Sequence, residues 1–129
     1  MILLDASAIL ALLYDEPGAD TVAGALTGDT GALSLVNLAE VLEVLERYGA
    51  NSAGRLPELR RLVTFEPVTE ADALRAAELA PLTRRPALSL ADRFALATAH
   101  RLSAPALTAE QAWAEYKRET LGVEVRLIR

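Results

Sequence analysis

The sequence predicts an α/β fold with a mostly parallel sheet, and three observations predict it. The chain opens with an unbroken apolar run, Ile2-Leu3-Leu4, the pattern of a strand buried on both faces. Strand-like runs then alternate with longer stretches of helical period in the order β-α-α-β-α-α-β-α-α-β-α-β, which lays helices against a sheet. No repeat, low-complexity tract or linker interrupts the 129 residues, so a single domain, 1–129, is expected. The expected architecture is a three-layer sandwich whose central sheet has four to five short strands flanked by helices.

The first strand runs straight into Asp5. A carboxylate at the C-terminal end of a central strand stands where open α/β sheets hold their ligands. Asp also caps helices, and Ala8 to Leu13 are helix formers. A short helix reaches about Tyr14, where Asp15-Glu16-Pro17-Gly18 breaks it. A second covers Ala19 to Leu26. Thr27 to Gly31 is loop, and Ala32 to Leu35 is a short strand. Leu38, Val41, Leu42, Leu45 and Tyr48 form the apolar stripe of a helix over Val36 to Tyr48, stopped by Gly49. Ser52 starts another helix, to about Arg61. Leu62 to Phe65 reads as the third strand, ended by Pro67. Thr69 and Asp72 form a capping box for a helix over Glu70 to Ala80, and Pro81 to Pro86 is loop. Ser89 to Leu102 is helical with Phe94, Ala95, Ala99 and Leu102 inward. Ala106-Leu107-Thr108 is a strand, Glu110 to Leu121 a helix ended by Gly122, and Val123 to Leu127 an edge strand.

Composition narrows the function. Hydrophobic residues make up 52% of the chain, enough for a core. No apolar run approaches the ~20 residues of a membrane span, and Asp5 interrupts the first one before it could serve as a signal peptide. A cytoplasmic protein with no membrane partner is expected. With no cysteine, thiolate chemistry and zinc–thiolate sites are excluded. The net charge of −5 is unlike that of a general nucleic-acid binder. Any nucleic acid must be handled locally, through a metal or a few of the basic spots Arg60-Arg61, Arg84-Arg85, Arg93, Arg101 and Lys117-Arg118. The lone His100 reads as a surface or packing residue.

Three more acids fall near the mouth of the expected sheet: Glu40 early in its helix, Asp92 in the first turn of the Ser89 helix, and Glu110 just after the fourth strand. Mg²⁺ and Mn²⁺ take this kind of oxygen-only ligand set. Without a cation, two carboxylates ~4 Å apart at an effective dielectric of ~20 repel by about 4 kcal/mol. A converging cluster is therefore either metal-bound or partly protonated. Each acid also has a purely structural reading. Ser89-Leu90-Ala91-Asp92 satisfies a capping box, Glu40 points away from its helix's apolar stripe, and Glu110 suits the positive end of a helix. The residues alone leave both readings open.

The combination resembles a PIN domain, specifically the VapC-type toxin ribonucleases of bacterial toxin–antitoxin pairs. The matching stretches are Leu4-Asp5-Ala6-Ser7-Ala8, Asn37-Leu38-Ala39-Glu40-Val41, Leu88-Ser89-Leu90-Ala91-Asp92-Arg93 and Leu107-Thr108-Ala109-Glu110-Gln111-Ala112-Trp113. They stand in the family's order and span nearly the whole chain. The resemblance implies a PIN-like sandwich with catalytic acids Asp5, Glu40, Asp92 and Glu110. Of these, Asp5, Glu40 and Asp92 would bind Mg²⁺ or Mn²⁺, with Ser7 and Thr108 in support. It implies hydrolysis of structured RNA, tRNA or ribosomal RNA among them, a small antitoxin as partner, and commonly a homodimer. Glu110 departs from the pattern, which usually has Asp there. A phospho-acceptor receiver would need an Asp after the third strand, where this chain has Phe65-Glu66-Pro67. A nucleotide-binding fold would need glycines after Leu4. A PIN-like binding or scaffolding module with weak catalysis is the remaining alternative.

Overall fold

The computed structural model describes residues Met1–Arg129. Five strands, β1 (Ile2–Leu4), β2 (Gly31–Ser34), β3 (Thr64–Glu66), β4 (Ala106–Thr108) and β5 (Val125–Leu127), form one sheet in the order β3-β2-β1-β4-β5. Every pairing is parallel, so the sheet is wholly rather than mostly parallel. Parallel neighbours need crossovers. Helices α1 (Ala6–Leu13) and α2 (Ala19–Gly28) join β1 to β2, and α3 (Leu35–Arg47) and α4 (Ser52–Leu62) join β2 to β3. Helices α5 (Glu70–Leu79) and α6 (Leu90–Arg101) join β3 to β4, and a 3-10 segment, Gln111–Glu115, with α7 (Arg118–Leu121) joins β4 to β5.

Alternation along β1 divides the core. Ile2 and Leu4 pack with Ile9, Val22, Leu33 and Val41 under α1 to α4, while Leu3 packs with Leu79, Leu96, Ala99 and Trp113 under α5 and α6. These are the three layers the sequence predicts. A β-carbon on Gly31 would lie 2.5 Å from the Leu26 side chain and 2.9 Å from those of Leu4 and Val63. Glycine is what lets β2 lie this close to the end of α2.

Three expected elements are corrected. The third strand begins at Thr64 rather than Leu62, because Leu62 completes α4 and the Val63 N–H still donates to Leu59 O. The expected helix over Glu110 to Leu121 is broken into the 3-10 segment and α7, with extended backbone at Tyr116 and Lys117. Trp113 is fully buried and the Tyr116 hydroxyl donates to Pro86 O. These two anchors override the local helix propensity. Gly122, at φ 70°, ends α7, Val123 is buried in the core, and β5 starts two residues later than expected. No helix is long and apolar enough to cross a membrane.

Candidate active site

The strand order makes the C-terminal end of β1 a topological switch point. From β1 the chain continues to β2 on one side, and on the other side β1 pairs with β4, reached from the far edge. Ligands of open parallel sheets bind in that crevice. Asp5 directly follows β1, and the register Leu4↔Leu107 sets it beside Thr108.

Asp5 is 3% exposed. Its Oδ1 accepts from the Ser7 hydroxyl at 2.7 Å and the Ala8 N–H at 3.0 Å, and its Oδ2 from the Thr108 hydroxyl at 2.7 Å. The capping role of Asp5 is therefore realised. A carboxylate offers about four acceptor positions; three are filled, leaving one for water or a cation. The Ser7 oxygen also accepts from the Ala109 N–H at 2.8 Å, and the Thr108 oxygen from the Glu110 N–H at 2.9 Å. Each hydroxyl thus donates to Asp5 and accepts a backbone N–H, so Ser7 and Thr108 fix the carboxylate in place from both sides. Burial pushes the Asp5 carboxyl up to about 6, against the pull of its three hydrogen bonds, and Asp92 pushes it further the same way.

Asp92 realises its capping box. Its N–H donates to Ser89 Oγ at 3.1 Å, and its Oδ2 accepts from the Ser89 N–H at 2.9 Å. Oδ1 carries no hydrogen bond and remains available. Glu40 is half-buried rather than solvent-exposed, contrary to its place on the helical wheel. The wheel counts one buried face, whereas the start of α3 also packs against α6. Glu40 Oε2 accepts from Asn37 Nδ2 at 3.0 Å, and the same amide donates to Ala91 O at 3.3 Å. Burial raises the Glu40 carboxyl, the Asn37 bond lowers it, and Asp92 and Glu110 raise it. Glu110 is exposed, with its backbone held by Thr108 and its carboxylate unbonded.

Sequence reasoning places Asn37 in a matching stretch but assigns it no role. The signal was present: a polar residue one turn before Val41, on the apolar stripe and three residues before an acid. Asn37 is fully buried, and its Oδ1 has no partner.

The donor set is all oxygen and suits a hard divalent cation. No three acidic or imidazole groups are drawn tightly enough together to enclose an ion. Mg²⁺ typically binds through one or two carboxylates and several waters, fewer protein oxygens than an enclosing cage would supply. None of the larger surface cavities is lined by Asp5, Glu40, Asp92 or Glu110. The site is an open acidic mouth, unlike the enclosed apolar pocket that small molecules favour.

No curated protein matches the chain in sequence. Among solved structures, a toxin–antitoxin complex from Klebsiella pneumoniae superposes with a TM-score of 0.76 at 20% identity, over 100% of this chain and 98% of that one. FitAcB from Neisseria gonorrhoeae gives 0.74 at 21% identity, over 97% and 96% of the two chains. VapC20 from Mycobacterium tuberculosis, a toxin that cleaves the sarcin-ricin loop, gives 0.69 at 19% identity, over 89% and 95%. At such identities the likeness shows the fold. The family model for the PIN domain matches residues 2–119, which takes in all four acids and every strand but β5, and on that match the chain belongs to the PIN domain family.

Proposed function

We propose that this protein is a metal-dependent endoribonuclease that hydrolyses phosphodiester bonds of structured RNA, and that it is the toxin of a toxin–antitoxin pair. The observation that carries the reading is Asp5, buried at the switch point and fixed by Ser7, Thr108 and Ala8, with Asp92 near enough to raise its pKa. Such a carboxylate is costly to leave unpaired. A divalent cation bound there supplies Lewis acidity, acidifying a water and neutralising charge on the phosphodiester. Asp5, Glu40 and Asp92 provide the oxygens that hold it. Ser7 and Thr108 keep Asp5 in place, and Asn37 does the same for Glu40. Glu110, at the rim, reaches the site through water. The chain contributes no nucleophile of its own, so the attacking group is water.

The structural relatives support the biological setting, since several are toxin–antitoxin complexes. The surface offers apolar area for a protein partner: Tyr14 and Tyr48 are 44% and 72% exposed, and they flank a groove of about 460 Å³ with Leu10 and Val44. Exposed apolar patches of this kind mark interaction sites. An antitoxin, and a second copy of the chain in a cytoplasmic homodimer, are the partners proposed.

The test is cleavage mapping on total RNA with Mg²⁺ or Mn²⁺, alongside Asp5→Asn. Metal-dependent scission lost in Asp5→Asn is expected, together with arrested host growth on expression that Asp5→Asn relieves at equal protein level. The looser spacing of the acids and the exposed Glu110 favour one second reading, a binding or scaffolding module. Equal RNA patterns from wild type and Asp5→Asn would establish that reading instead.

A further inference from the structure

An acidic site on a protein of net charge −5 repels RNA unless cations near it receive the backbone. Most of the 13 Lys and Arg residues are already engaged by acids, carbonyls or a ring. Arg61, Arg84, Arg85 and Lys117 form no such interaction, and all four are exposed. Arg61 closes α4 beside Thr30 and Thr64, at the end of the sheet where β2 and β3 begin, away from Asp5.

The other three are tied to the site's rim. Arg84 and Arg85 sit in the turn between α5 and α6. Arg84 bridges antiparallel to Ala87, the Leu88 N–H donates to Thr83 O at 3.0 Å, and the Thr83 hydroxyl is anchored on Leu79 O at 2.7 Å. The Ser89–Asp92 capping box follows immediately. On its other side the turn is fastened to the stretch that follows Glu110, because the Tyr116 hydroxyl donates to Pro86 O. Lys117 is the next residue along that stretch. Two unpaired guanidinium groups are thus carried by a braced turn between the segments bearing Asp92 and Glu110. Arginine's planar fork suits phosphate oxygens, and the bracing lowers the entropy lost on binding.

We propose that Arg84 and Arg85 are the residues that grip the RNA backbone as it enters the acidic site, and that they act by positioning. Lys117 is the weaker member, since Glu115 and Glu119 lie exposed in its own segment. The inference rests on the ribonuclease reading. It requires phosphate-directed, sequence-independent binding, which reveals itself in salt dependence.

The test compares wild type, the double variant Arg84→Ala/Arg85→Ala and the control Arg61→Ala. Cleavage of a mixture of unfractionated tRNA and ribosomal RNA is measured with Mn²⁺ across a range of KCl, with thermal melts to verify folding. The double variant should raise the apparent KM about tenfold, as removal of two well-placed exposed charges would, with kcat unchanged. Its dependence of log KM on log salt should be shallower by about two, one for each phosphate no longer neutralised. Arg61→Ala should match wild type. Cleavage by wild type with a double variant that behaves like Arg61→Ala overturns this inference and leaves the ribonuclease reading intact; a turn that instead serves an acidic partner protein gives that result. A fall in kcat at unchanged KM and salt slope also overturns it. Absence of any RNA cleavage by wild type overturns both.

Discussion

At the scale of single residues, the candidate site turns on two buried side chains, Asp5 and Asn37. The folded-state pKa of Asp5, about 6 against an ordinary 3.8, is raised by burial. Between those values the native chain holds a proton that the unfolded chain has released. Stability from this group is therefore fully present below pH 3.8 and is lost as pH rises through about 6. The shift corresponds to roughly 3 kcal/mol at pH 7. In Asp5→Asn part of this is forfeited, because Thr108 loses an acceptor. In EDTA at pH 7, Asp5→Asn is expected to be more stable by about 1–2 kcal/mol, within the ~3 kcal/mol the shift allows. At pH 4, where native Asp5 is already neutral, the gain should vanish. Urea unfolding at the two pH values measures both, and an equal gain at each would show that buried charge is not the cause. Asn37→Ala removes the donor shared by Glu40 and Ala91 O and should cost about 1–3 kcal/mol. Because that bond holds the Glu40 carboxyl down, its loss should also weaken Mn²⁺ binding near neutral pH, which calorimetry reads directly. The place of Asp5 at the end of β1 was legible in the sequence because its signal is local, a carboxylate directly after an apolar run. Glu40 was not legible from periodicity, since only the packing of α6 on α3 gives that face of the helix a neighbour.

At the scale of elements, helix ends decide where the functional groups stand. Both capping boxes, Thr69 with Asp72 and Ser89 with Asp92, were readable in the sequence because the motif lies within four residues, and both form. What the sequence did not show is that Asp72 also anchors α6. Arg101 Nε donates to Asp72 Oδ1 at 2.9 Å and its terminal nitrogen to Oδ2 at 3.1 Å, and the same nitrogen donates to Pro67 O. Burial raises the Asp72 carboxyl, but the bonds and charge of Arg101 and the Thr69 backbone bond more than offset it, leaving it below the usual range. Stability from a group held low is present above its ordinary pKa and is lost as pH falls through the folded value. Arg101→Ala strands a carboxylate that is 1% exposed and should cost about 2–3 kcal/mol at pH 7, less than a fully buried pair because Arg101 is partly solvated. The loss should shrink in acid, where Asp72 is protonated in both variants. The segment after β4 shows the opposite limit. Helix formers from Gln111 to Leu121 gave no local sign that Trp113 and Tyr116 would be claimed by distant partners. Glu110 leads into that segment with only its backbone fixed. Glu110→Gln should therefore weaken Mn²⁺ binding less than Asp5→Asn or Asp92→Asn, with cleavage reduced but persisting. A loss as large as that of Asp5→Asn, or two tight Mn²⁺ sites in wild type, would make Glu110 a direct ligand.

At the scale of the whole molecule, β1 belongs to both halves of the core. Ile2 and Leu4 serve one face and Leu3 the other, so neither helical layer can keep its packing if β1 leaves the sheet. A domain of this size with one shared strand should unfold in a single cooperative step. The four acids of the candidate site follow β1, lie in α3 and α6, and follow β4, elements drawn from both layers. A cation that binds this arrangement meets no such site in the unfolded chain, so its binding free energy adds to the stability of the whole fold. The gain is RT ln(1 + [L]/Kd), about 2.7 kcal/mol at 100 times Kd. For a chain of this length that is a rise in Tm of roughly 10 °C. Mn²⁺ at saturating concentration should therefore move the entire melting transition upward without splitting it. In Asp5→Asn the transition should start higher in EDTA, and Mn²⁺ should move it little. Differential scanning calorimetry with and without Mn²⁺ on both proteins supplies the measurement. Wild type melting at the same temperature in Mn²⁺ and in EDTA would show that these carboxylates, although gathered around a strand common to both layers, do not bind the metal.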